Sequence, residues 1–244
     1  MNSTAAQLIR TARTLSENLT ELQFVEPVAC VYNPLEYARL PFERYLSLYG
    51  GSSKRIVFVG MNPGPWGMAQ TGIPFGEVTA VRDWIGIHEA VDQPEVSHPK
   101  RPIQGFNCAR SEVSGRRLWG LMRERFGTAD AFFNDHFVTN YCPLVFYEQS
   151  GRNRTPDKLK AAEKKTLFGY CDTRLAAVIE IFKSEWVIGV GRFTEDRILT
   201  VQERLKKRHS FQVTRILHPS PANPQANRGW AEQVSRHLTK LEIW

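Results

Sequence analysis

The chain of 244 residues is long enough to bury a sizeable core, and its hydrophobic content of 42% excludes a disordered protein. The formal net charge is +7 and the pI is about 9.4, which favours a polyanionic partner such as nucleic acid. The sequence shows no apolar signal core and no run of membrane-spanning length, so we expect an intracellular protein with no membrane partner.

Amphipathic segments and short apolar runs alternate along the chain. The predicted helices span residues 2–22, 34–49, 78–86, 114–126, 155–182 and 194–207, and a last helix begins at Trp230. The predicted strands span residues 55–60, 137–141, 186–191 and 211–217, and the last of them is polar enough for a sheet edge. This alternation predicts an α/β three-layer sandwich, with a parallel sheet between helices on both faces. We expect one domain over residues 1–244, with residues 1–24 as a helix packed on it.

Two of these helices carry more specific predictions. The helix over residues 155–182 is expected to begin with Thr155 as its N-cap and Pro156 in its first position. Helical spacing in residues 34–49 gives that helix one buried side. The residues predicted for that side are Tyr37, Leu40, Tyr45 and Leu48.

Two loops rich in glycine and proline stand out. The first, residues 60–76, follows the apolar run of the first strand and contains five glycines and three prolines. Such a loop forms neither helix nor strand, and its glycines let the backbone approach a ligand closely. Asn62 is its one side chain suited to positioning chemistry. The second loop, residues 218–224, begins with His218 directly after the last predicted strand.

Ligands of open α/β sheets bind outside the carboxyl ends of the strands. Asn62, Asn140 and His218 each lie at or just after such an end, so we expect them at one edge of one sheet. Each has a structural alternative, because asparagines often cap turns and a lone histidine after a strand is more often structural than catalytic. Their coincidence with the two loops favours a shared site.

Other sites are not indicated. The run Gly189-Val190-Gly191 lacks the third glycine and the downstream acid of a dinucleotide fingerprint, so it predicts a tight turn from strand to helix. No nucleophile elbow and no metal-ligand spacing appears, so we expect no metal. The four cysteines form no C-x-x-C pair and are predicted to be free thiols, at Cys30, Cys108, Cys142 and Cys171.

The two loop sequences, over residues 60–76 and 218–230, strongly resemble those of the single-strand-selective monofunctional uracil-DNA glycosylases. The similarity covers the chain from about residue 25 to about residue 240. Shorter similar stretches span residues 78–85, 98–102, 111–115 and 150–153. The resemblance implies a four-stranded parallel sheet between helices, a DNA partner and no cofactor. Nothing in it suggests an oligomer, so we expect a monomer.

The resemblance also implies roles for the three polar residues. Asn62 is similar to the residue that holds the attacking water, and His218 to the residue that stabilises charge developing at uracil O2. Asn140 is similar to the residue that reads uracil, because its carbonyl can accept from N3–H and its NH2 group can donate to O4. Cytosine presents the opposite pattern and is rejected, by ~10⁴-fold.

Further residues are implied to bind the base: Met61, Gly64, Met68 and Phe75. Phe75 resembles the aromatic that stacks on the flipped base, with ordinary core packing as the alternative. Glycine at position 64 leaves room beside C5 of the base, which would admit 5-hydroxymethyluracil; the alternative is a turn glycine. No lysine occupies a nucleophile position in the similar motifs, so the DNA strand is expected to stay intact.

The second loop is similar to the family's wedge, in which residues 219–227 enter the duplex where the base has left. Ala222 departs from the vertebrate pattern, which has arginine there, and its methyl group fills the vacated stack poorly. Arg228 is a nearby substitute. The residues expected to contact DNA are Pro219, Ser220, Pro221, Ala222, Asn223 and Arg228. Weaker candidates for phosphate contacts are Lys100, Arg101, Arg116, Arg152 and Arg154.

The sequence therefore predicts a base-excision-repair hydrolase that removes uracil and C5-modified uracil from single- and double-stranded DNA and leaves an abasic site. One alternative is a member of the same superfamily with a shifted range, such as hypoxanthine or xanthine. Another is a catalytically silent DNA-binding module. The expected location is the bacterial cytoplasm or nucleoid, or the nucleus in a eukaryote.

Overall fold

The computed structural model describes residues 3–244, so residues 1 and 2 of the predicted first helix lie outside the described residues. The helices are α1 (Ser3–Thr20), α2 (Pro34–Tyr37), α3 (Arg39–Tyr49), α4 (Met68–Thr71), α5 (Val78–Ala80, continued by a π turn over Val81–Ile85), α6 (Val113–Phe126), α7 (Ala129–Asp135), α8 (Ala161–Phe182), α9 (Arg192–Leu205) and α10 (Trp230–Lys240). The strands are β1 (Val28–Tyr32), β2 (Ile56–Gly60), β3 (His136–Asn140), β4 (Val145–Glu148), β5 (Asn153–Arg154), β6 (Trp186–Val190) and β7 (Gln212–Ile216).

A parallel four-stranded sheet forms the centre, in the order β3-β2-β6-β7. All five residues of β2 are buried, and successive residues of a strand point to opposite faces, so helices cover both faces. This confirms the predicted three-layer α/β fold. β7 lies at the edge and exposes Gln212 and Arg215, as its polar sequence predicts.

A second, antiparallel sheet in the order β1-β4-β5 was not predicted. Its strands are only two to five residues long, too short for alternation to stand out in the sequence. It has a small core of its own, in which the rings of Tyr32 and Tyr147 pack edge to face at 5.1 Å. This sheet matters for the site because β5 delivers Asn153 to the central sheet's carboxyl edge.

The predicted helix over residues 34–49 is wrong in one respect, because the chain breaks at Ala38 into α2 and α3. The break rotates the second helix relative to the first, so a single helical face does not continue through both. Leu40 and Leu48 are therefore exposed, contrary to prediction, whereas Tyr37 and Tyr45 are buried as predicted.

The start of α8 and the existence of α4 and α7 also differ from prediction. The short helix α4 lies within the loop over residues 60–76, which was expected to form no helix. Residues Pro156–Lys158 form a separate 3-10 turn, and α8 begins only at Ala161. Glu163 stabilises that start, because its carboxylate accepts from the backbone N–H of Lys160 at 2.8 Å. Thr155, the predicted N-cap, makes no side-chain capping bond. The unpredicted α7 is short, and Thr128 caps it by accepting from the N–H of Ala131 at 3.2 Å.

All four cysteines are free and buried, as predicted. Within residues 3–244, no helix has the length and apolar character that crossing a membrane requires.

A buried carboxylate supports the carboxyl end of β3. Asp172 of α8 accepts a hydrogen bond from the Tyr141 hydroxyl at 2.8 Å, and it pairs with Arg197 at 2.5 Å and Arg204 at 2.8 Å. Tyr141 directly follows Asn140, so this cluster fixes the backbone that carries a predicted site residue. Arg197 also lies over the Tyr141 ring, 5.6 Å from its centroid.

Replacing Asp172 with alanine is expected to lower the free energy of unfolding by about 3 kcal/mol, because it leaves buried hydrogen-bonding groups without their acceptor. Urea unfolding measures this change. The matched control is Asp196→Ala, which removes an exposed carboxylate 4.0 Å from Arg192 and should change stability by less than about 0.5 kcal/mol. Equal effects of the two substitutions would contradict the structural role given to Asp172.

Candidate active site

A cavity of about 390 Å³ opens at the carboxyl ends of β2 and β3, close to the end of β7. This volume is within the range of small-molecule sites. The residues that line it are Met61, Asn62, Pro63, Gly64, Pro65, Phe75, Glu112, Ser114, Asn140, Asn153, Thr155, His218 and Ser220. Six predicted residues, Met61, Asn62, Gly64, Phe75, Asn140 and His218, are thus brought together, as expected for a shared site.

Parallel pairing of β2 with β3 sets the first part of this geometry. Gly60 is paired with Asn140 at the last step of the ladder. The pairing extends past the strands, because the N–H of Tyr141 donates to the carbonyl of Gly60 at 2.8 Å and that of Cys142 to Met61 at 2.9 Å. The loop carrying Asn62 is therefore held beside Asn140 by backbone hydrogen bonds.

Asn62 is oriented by its own amide. Its Nδ2 donates to the carbonyl of Leu144 at 3.2 Å and lies 3.5 Å from that of Pro63. With the NH2 group engaged, Oδ1 is the end of the side chain left to accept from a water molecule. A neutral amide can orient such a water, but it cannot remove a proton from it as a carboxylate would.

His218 presents a neutral ring with a defined tautomer. The backbone N–H of Ser220 donates to Nδ1 at 3.1 Å, so Nδ1 carries no proton. Burial lowers the pKa of the imidazole to about 4, so the ring is neutral at pH 7 and its single proton is on Nε2. Gly191 packs behind it with a φ of 97°, a backbone conformation that favours glycine.

Asn140 is only 7% exposed and is the polar group deepest in the cavity wall. Its Nδ2 donates to the sulfur of Met68 at 3.2 Å, a weak acceptor that still distinguishes the two ends of the amide. Met68 is 2% exposed and lies against Asn140; it does not line the cavity, contrary to the expectation that it contacts the base. Its contact with the Asn140 amide makes it a positioning residue.

Phe75 and Asn140 share the space in front of Gly60. A Cβ on Gly60 would collide with the Asn140 Oδ1 atom and would lie 2.8 Å from Cζ of Phe75. Phe75 itself has a left-handed backbone, with φ of 54°, which is uncommon for a bulky residue. The indole N–H of Trp119 donates to its carbonyl at 3.0 Å and holds that conformation. The centroid of the ring lies 6.3 Å from that of the His218 ring, at an interplanar angle of 43°, so the two rings border the same part of the cavity.

Gly64 makes room for a protein group. A Cβ on Gly64 would lie 2.8 Å from Cδ of Glu112, and a Cβ on Gly67 would lie 2.6 Å from the same atom. The space that was expected to stay open beside C5 of a base therefore holds, at least in part, the carboxyl group of Glu112. The tolerance at C5 assigned to Gly64 stays a prediction.

Glu112 was not predicted from the sequence. It precedes α6 and makes no side-chain capping bond to that helix. Its Oε2 atom is buried without a hydrogen-bond partner. Burial raises the pKa of Glu112 to about 7, the nearby Glu77 adds to this, and the N–H groups of Gly67 and Trp66 oppose it.

The second loop is held in place from α6 and from within itself. Arg117 donates to the carbonyl of Pro219 at 3.0 Å and to the side chain of Asn227 at 2.8 Å. Asn227 in turn donates to the carbonyl of Pro221 at 2.8 Å. Of the six residues expected to contact DNA, Ser220 lines the cavity, Pro221, Ala222 and Arg228 are exposed, Asn223 is half-buried and Pro219 is buried.

Of the five weaker phosphate candidates, three are already engaged. Arg116 donates to the Ser111 hydroxyl at 3.4 Å. Arg154 pairs with Glu148 at 3.0 Å and also donates to the carbonyl of Lys158. Arg101 donates to the carbonyl of Gly151 at 2.6 Å and stacks over Trp66, 5.2 Å from its ring centroid. The unpredicted Arg110 also stacks on Trp66, at 4.5 Å.

Sequence reasoning missed the cavity residues Glu112, Ser114, Asn153 and Thr155. The similar stretches over residues 111–115 and 150–153 contain three of these residues. No chemical role could be assigned to them from the sequence, because residue type alone does not show which polar side chains turn inward.

Comparison with known proteins agrees with the fold and identifies the family. The profile of the Uracil DNA glycosylase superfamily matches residues 48–240. The chain belongs to this superfamily, whose members are hydrolases that cleave the bond between a base and its sugar. Within it, the chain belongs with the single-strand-selective monofunctional uracil-DNA glycosylases. It is 45% identical to the bovine (Bos taurus) protein of that name over 229 residues, which are 94% of this chain and 84% of the relative.

Other comparisons extend this result. The rat (Rattus norvegicus) relative is also 45% identical, over 94% of this chain and 82% of its own length. The structure of wild-type SMUG2 from Pedobacter heparinus has a TM-score of 0.65 and 17% identity, covering 95% of this chain and 97% of that one. At that identity the likeness concerns the fold.

Proposed function

We propose that the protein removes uracil and C5-modified uracil, including 5-hydroxymethyluracil, from single- and double-stranded DNA and leaves an abasic site. The reaction takes place in this cavity. The observation that carries the proposal is the convergence of Asn62, Asn140 and His218 on one cavity at the carboxyl edge of the sheet. Each presents a different hydrogen-bonding group, and the ring of Phe75 lies beside them.

The chemistry requires the target base to leave the DNA stack and enter a pocket. As the bond from C1′ to N1 breaks, positive charge develops on the sugar and negative charge on uracil. We assign to the proton on Nε2 of His218 the stabilisation of the charge at O2, and one such donor is worth roughly 3–4 kcal/mol in the transition state. The water held by Oδ1 of Asn62 then attacks C1′, and the proton that it loses passes, directly or through solvent, to the uracil anion. In such a late, dissociative path the nucleophile needs little activation, which suits an amide.

Asn140 selects uracil over cytosine. With its NH2 group directed by Met68, the amide has one fixed donor and one fixed acceptor. Uracil satisfies both groups, whereas cytosine leaves both mismatched.

Release of a free base without strand cleavage follows from the residues around the cavity. Cleavage through a Schiff base needs a lysine amine that can reach C1′. None of the described residues that line the cavity is a lysine. The product is then an intact strand with one abasic site.

DNA contacts are expected beside the cavity mouth. Trp66 carries the stacked guanidinium group of Arg110, and stacking leaves the N–H edge of that group available for phosphate oxygens. We expect the protein to act as a monomer in the compartment that holds the DNA, the bacterial cytoplasm or nucleoid or the eukaryotic nucleus.

The test uses labelled oligonucleotides, single- and double-stranded, that contain uracil, 5-hydroxymethyluracil, hypoxanthine or xanthine, followed by cleavage with alkali. We expect abasic product from the strands that contain uracil and from those that contain 5-hydroxymethyluracil. The Asn62→Ala variant should lose excision rate far more than DNA binding. Absence of abasic product from every uracil substrate would overturn the proposal. Product from the purines alone would indicate a shifted range, and binding without any product a silent DNA-binding module.

Replacing Ala222 with arginine is expected to raise excision from duplex DNA by roughly fivefold to 150-fold, because a planar group stacked in the vacated site is worth on the order of 1–3 kcal/mol. Excision from single strands should change little, since no opposite strand has to be held apart. Thr239→Arg is the matched control: it adds the same charge at an exposed position of α10, outside the wedge, and it should affect both substrates equally. An equal response of single and double strands to Ala222→Arg would contradict the role of residues 219–227 as a wedge.

A further inference from the structure

The carboxyl group of Glu112 has no part in the chemistry described so far, yet it forms part of the cavity wall. Gly64 and Gly67 both face it without side chains, so the loop that carries Asn62 is shaped around this group. Its Oε2 atom has no hydrogen-bond partner, and no ion pair among the described residues includes it. A buried carboxyl oxygen without a partner costs free energy that a ligand can recover.

A second unpartnered oxygen belongs to another residue of the same cavity wall. Oδ1 of Asn153 is buried without a hydrogen-bond partner, and Asn153 lines the cavity from β5. The wall of the cavity beyond Asn62, Asn140 and His218 therefore includes two residues with an unpaired side-chain oxygen.

We infer that Glu112 is a specificity-determining residue, whose carboxyl group hydrogen-bonds an oxygen-bearing substituent on C5 of the flipped pyrimidine. The inference rests on the proposed function and deepens it. It also changes the role of Gly64, which admits C5-modified bases by making room for the group that recognises their oxygen atoms.

The protonation state of Glu112 decides which substituents it accepts. The titratable groups that face it are Glu77, whose charge disfavours ionisation, and Tyr147, a neutral phenol whose pKa is raised by burial and, to a smaller extent, by Glu112 itself. With its pKa at about 7, Glu112 is mostly neutral below neutrality and mostly ionised above it. A hydroxymethyl group can pair with either form, because it both donates and accepts. A carboxylate on C5 can pair only with the neutral form, and the ionised form repels it.

The experiment compares single strands containing uracil, 5-hydroxymethyluracil or 5-carboxyuracil, in single turnover, from about pH 6 to about pH 8. The quantity measured is the rate for each modified base divided by the rate for uracil at the same pH. For the unaltered protein, the 5-carboxyuracil ratio should fall about tenfold across this range, because the neutral fraction of Glu112 falls by that factor. The 5-hydroxymethyluracil ratio should change little.

Three variants complete the test. Glu112→Gln keeps a neutral side chain of the same shape, so its 5-carboxyuracil ratio should be independent of pH and close to the low-pH ratio of the unaltered protein. Glu112→Ala should lower the 5-hydroxymethyluracil ratio by roughly fivefold, the effect of one lost hydrogen bond. Glu124→Gln, an exposed glutamate on the same helix, is the matched control and should retain the pH dependence of the unaltered protein.

A 5-carboxyuracil ratio that does not change with pH in the unaltered protein would overturn the inference even if no variant folds. The same pH dependence in Glu112→Gln as in the unaltered protein would also overturn it. Loss of uracil excision itself would instead contradict the proposed function, and the inference would fall with it. The two failures are therefore distinguishable in one set of reactions.

Discussion

Replacing His218 with alanine is expected to lower the rate of uracil excision by about 100- to 1000-fold, because it removes one donor aimed at charge that develops only in the transition state. Binding of a uracil-containing strand should change by no more than a few-fold, since ground-state uracil carries little charge at O2. Single-turnover rates and binding to an inactive substrate analogue measure the two effects separately. An exposed histidine, His88, provides the matched control in His88→Ala.

The same residue predicts the pH profile for uracil. The pKa of His218 is lowered to about 4 by burial, so the neutral, donating ring is present from about pH 5.5 to about pH 8.5. Excision of unmodified uracil should therefore show no inflection near the ordinary histidine pKa. A loss of rate as the pH rises through about 6.5 would mean that the charged ring is the active form, contrary to the tautomer given by Ser220.

Replacing Asn140 with alanine is expected to abolish most discrimination between uracil and cytosine as well as to slow uracil excision. A fixed amide that pairs with one base and mismatches the other gives selection of about 10⁴-fold, and alanine leaves neither base with a partner. The ratio of single-turnover rates on uracil and cytosine strands should fall to within about tenfold. Asn134→Ala, at an exposed asparagine, is the control and should preserve the ratio.

A variant that loses rate but keeps its preference for uracil would contradict this assignment. Selection would then come from the shape of the cavity and not from the amide. Met68→Leu adds a related comparison, because it removes the sulfur that accepts from Nδ2 of Asn140 while conserving volume. Its expected effect is a partial loss of selection with the fold intact.

The central sheet could be predicted because β2 and β6 are continuous apolar runs bounded by glycine, a pattern with few alternatives. The second sheet could not, because β5 has two residues and its pairing with β4 depends on contacts remote in sequence. The break between α2 and α3 also escaped prediction, since Ala38 is a good helix former and only its surroundings impose the turn. The start of α8 was misplaced because Thr155 and Pro156 are favourable for a helix start that the chain uses for a 3-10 turn.

For the site, too, the sequence predicts where a residue lies in the fold better than it predicts where its side chain points. Asn62, Asn140 and His218 follow strand ends, so the topology of a parallel sheet brings them together whatever the loops do. Glu112 lies at the end of a long irregular segment, where periodicity gives no inward or outward direction. Its importance is visible only through Gly64 and Gly67, whose missing side chains match its carboxyl group.

Gly60 limits how this site can change by mutation. It is paired with Asn140, and its absent side chain is the space into which both the Asn140 amide and the Phe75 ring extend. A single methyl group at this position would displace both the Asn140 amide, which is proposed to read the base, and the Phe75 ring, which is proposed to stack on it. A substitution at position 60 would therefore affect the proposed base reading and the proposed stacking together. Variation in substrate range is then left to residues elsewhere in the cavity wall.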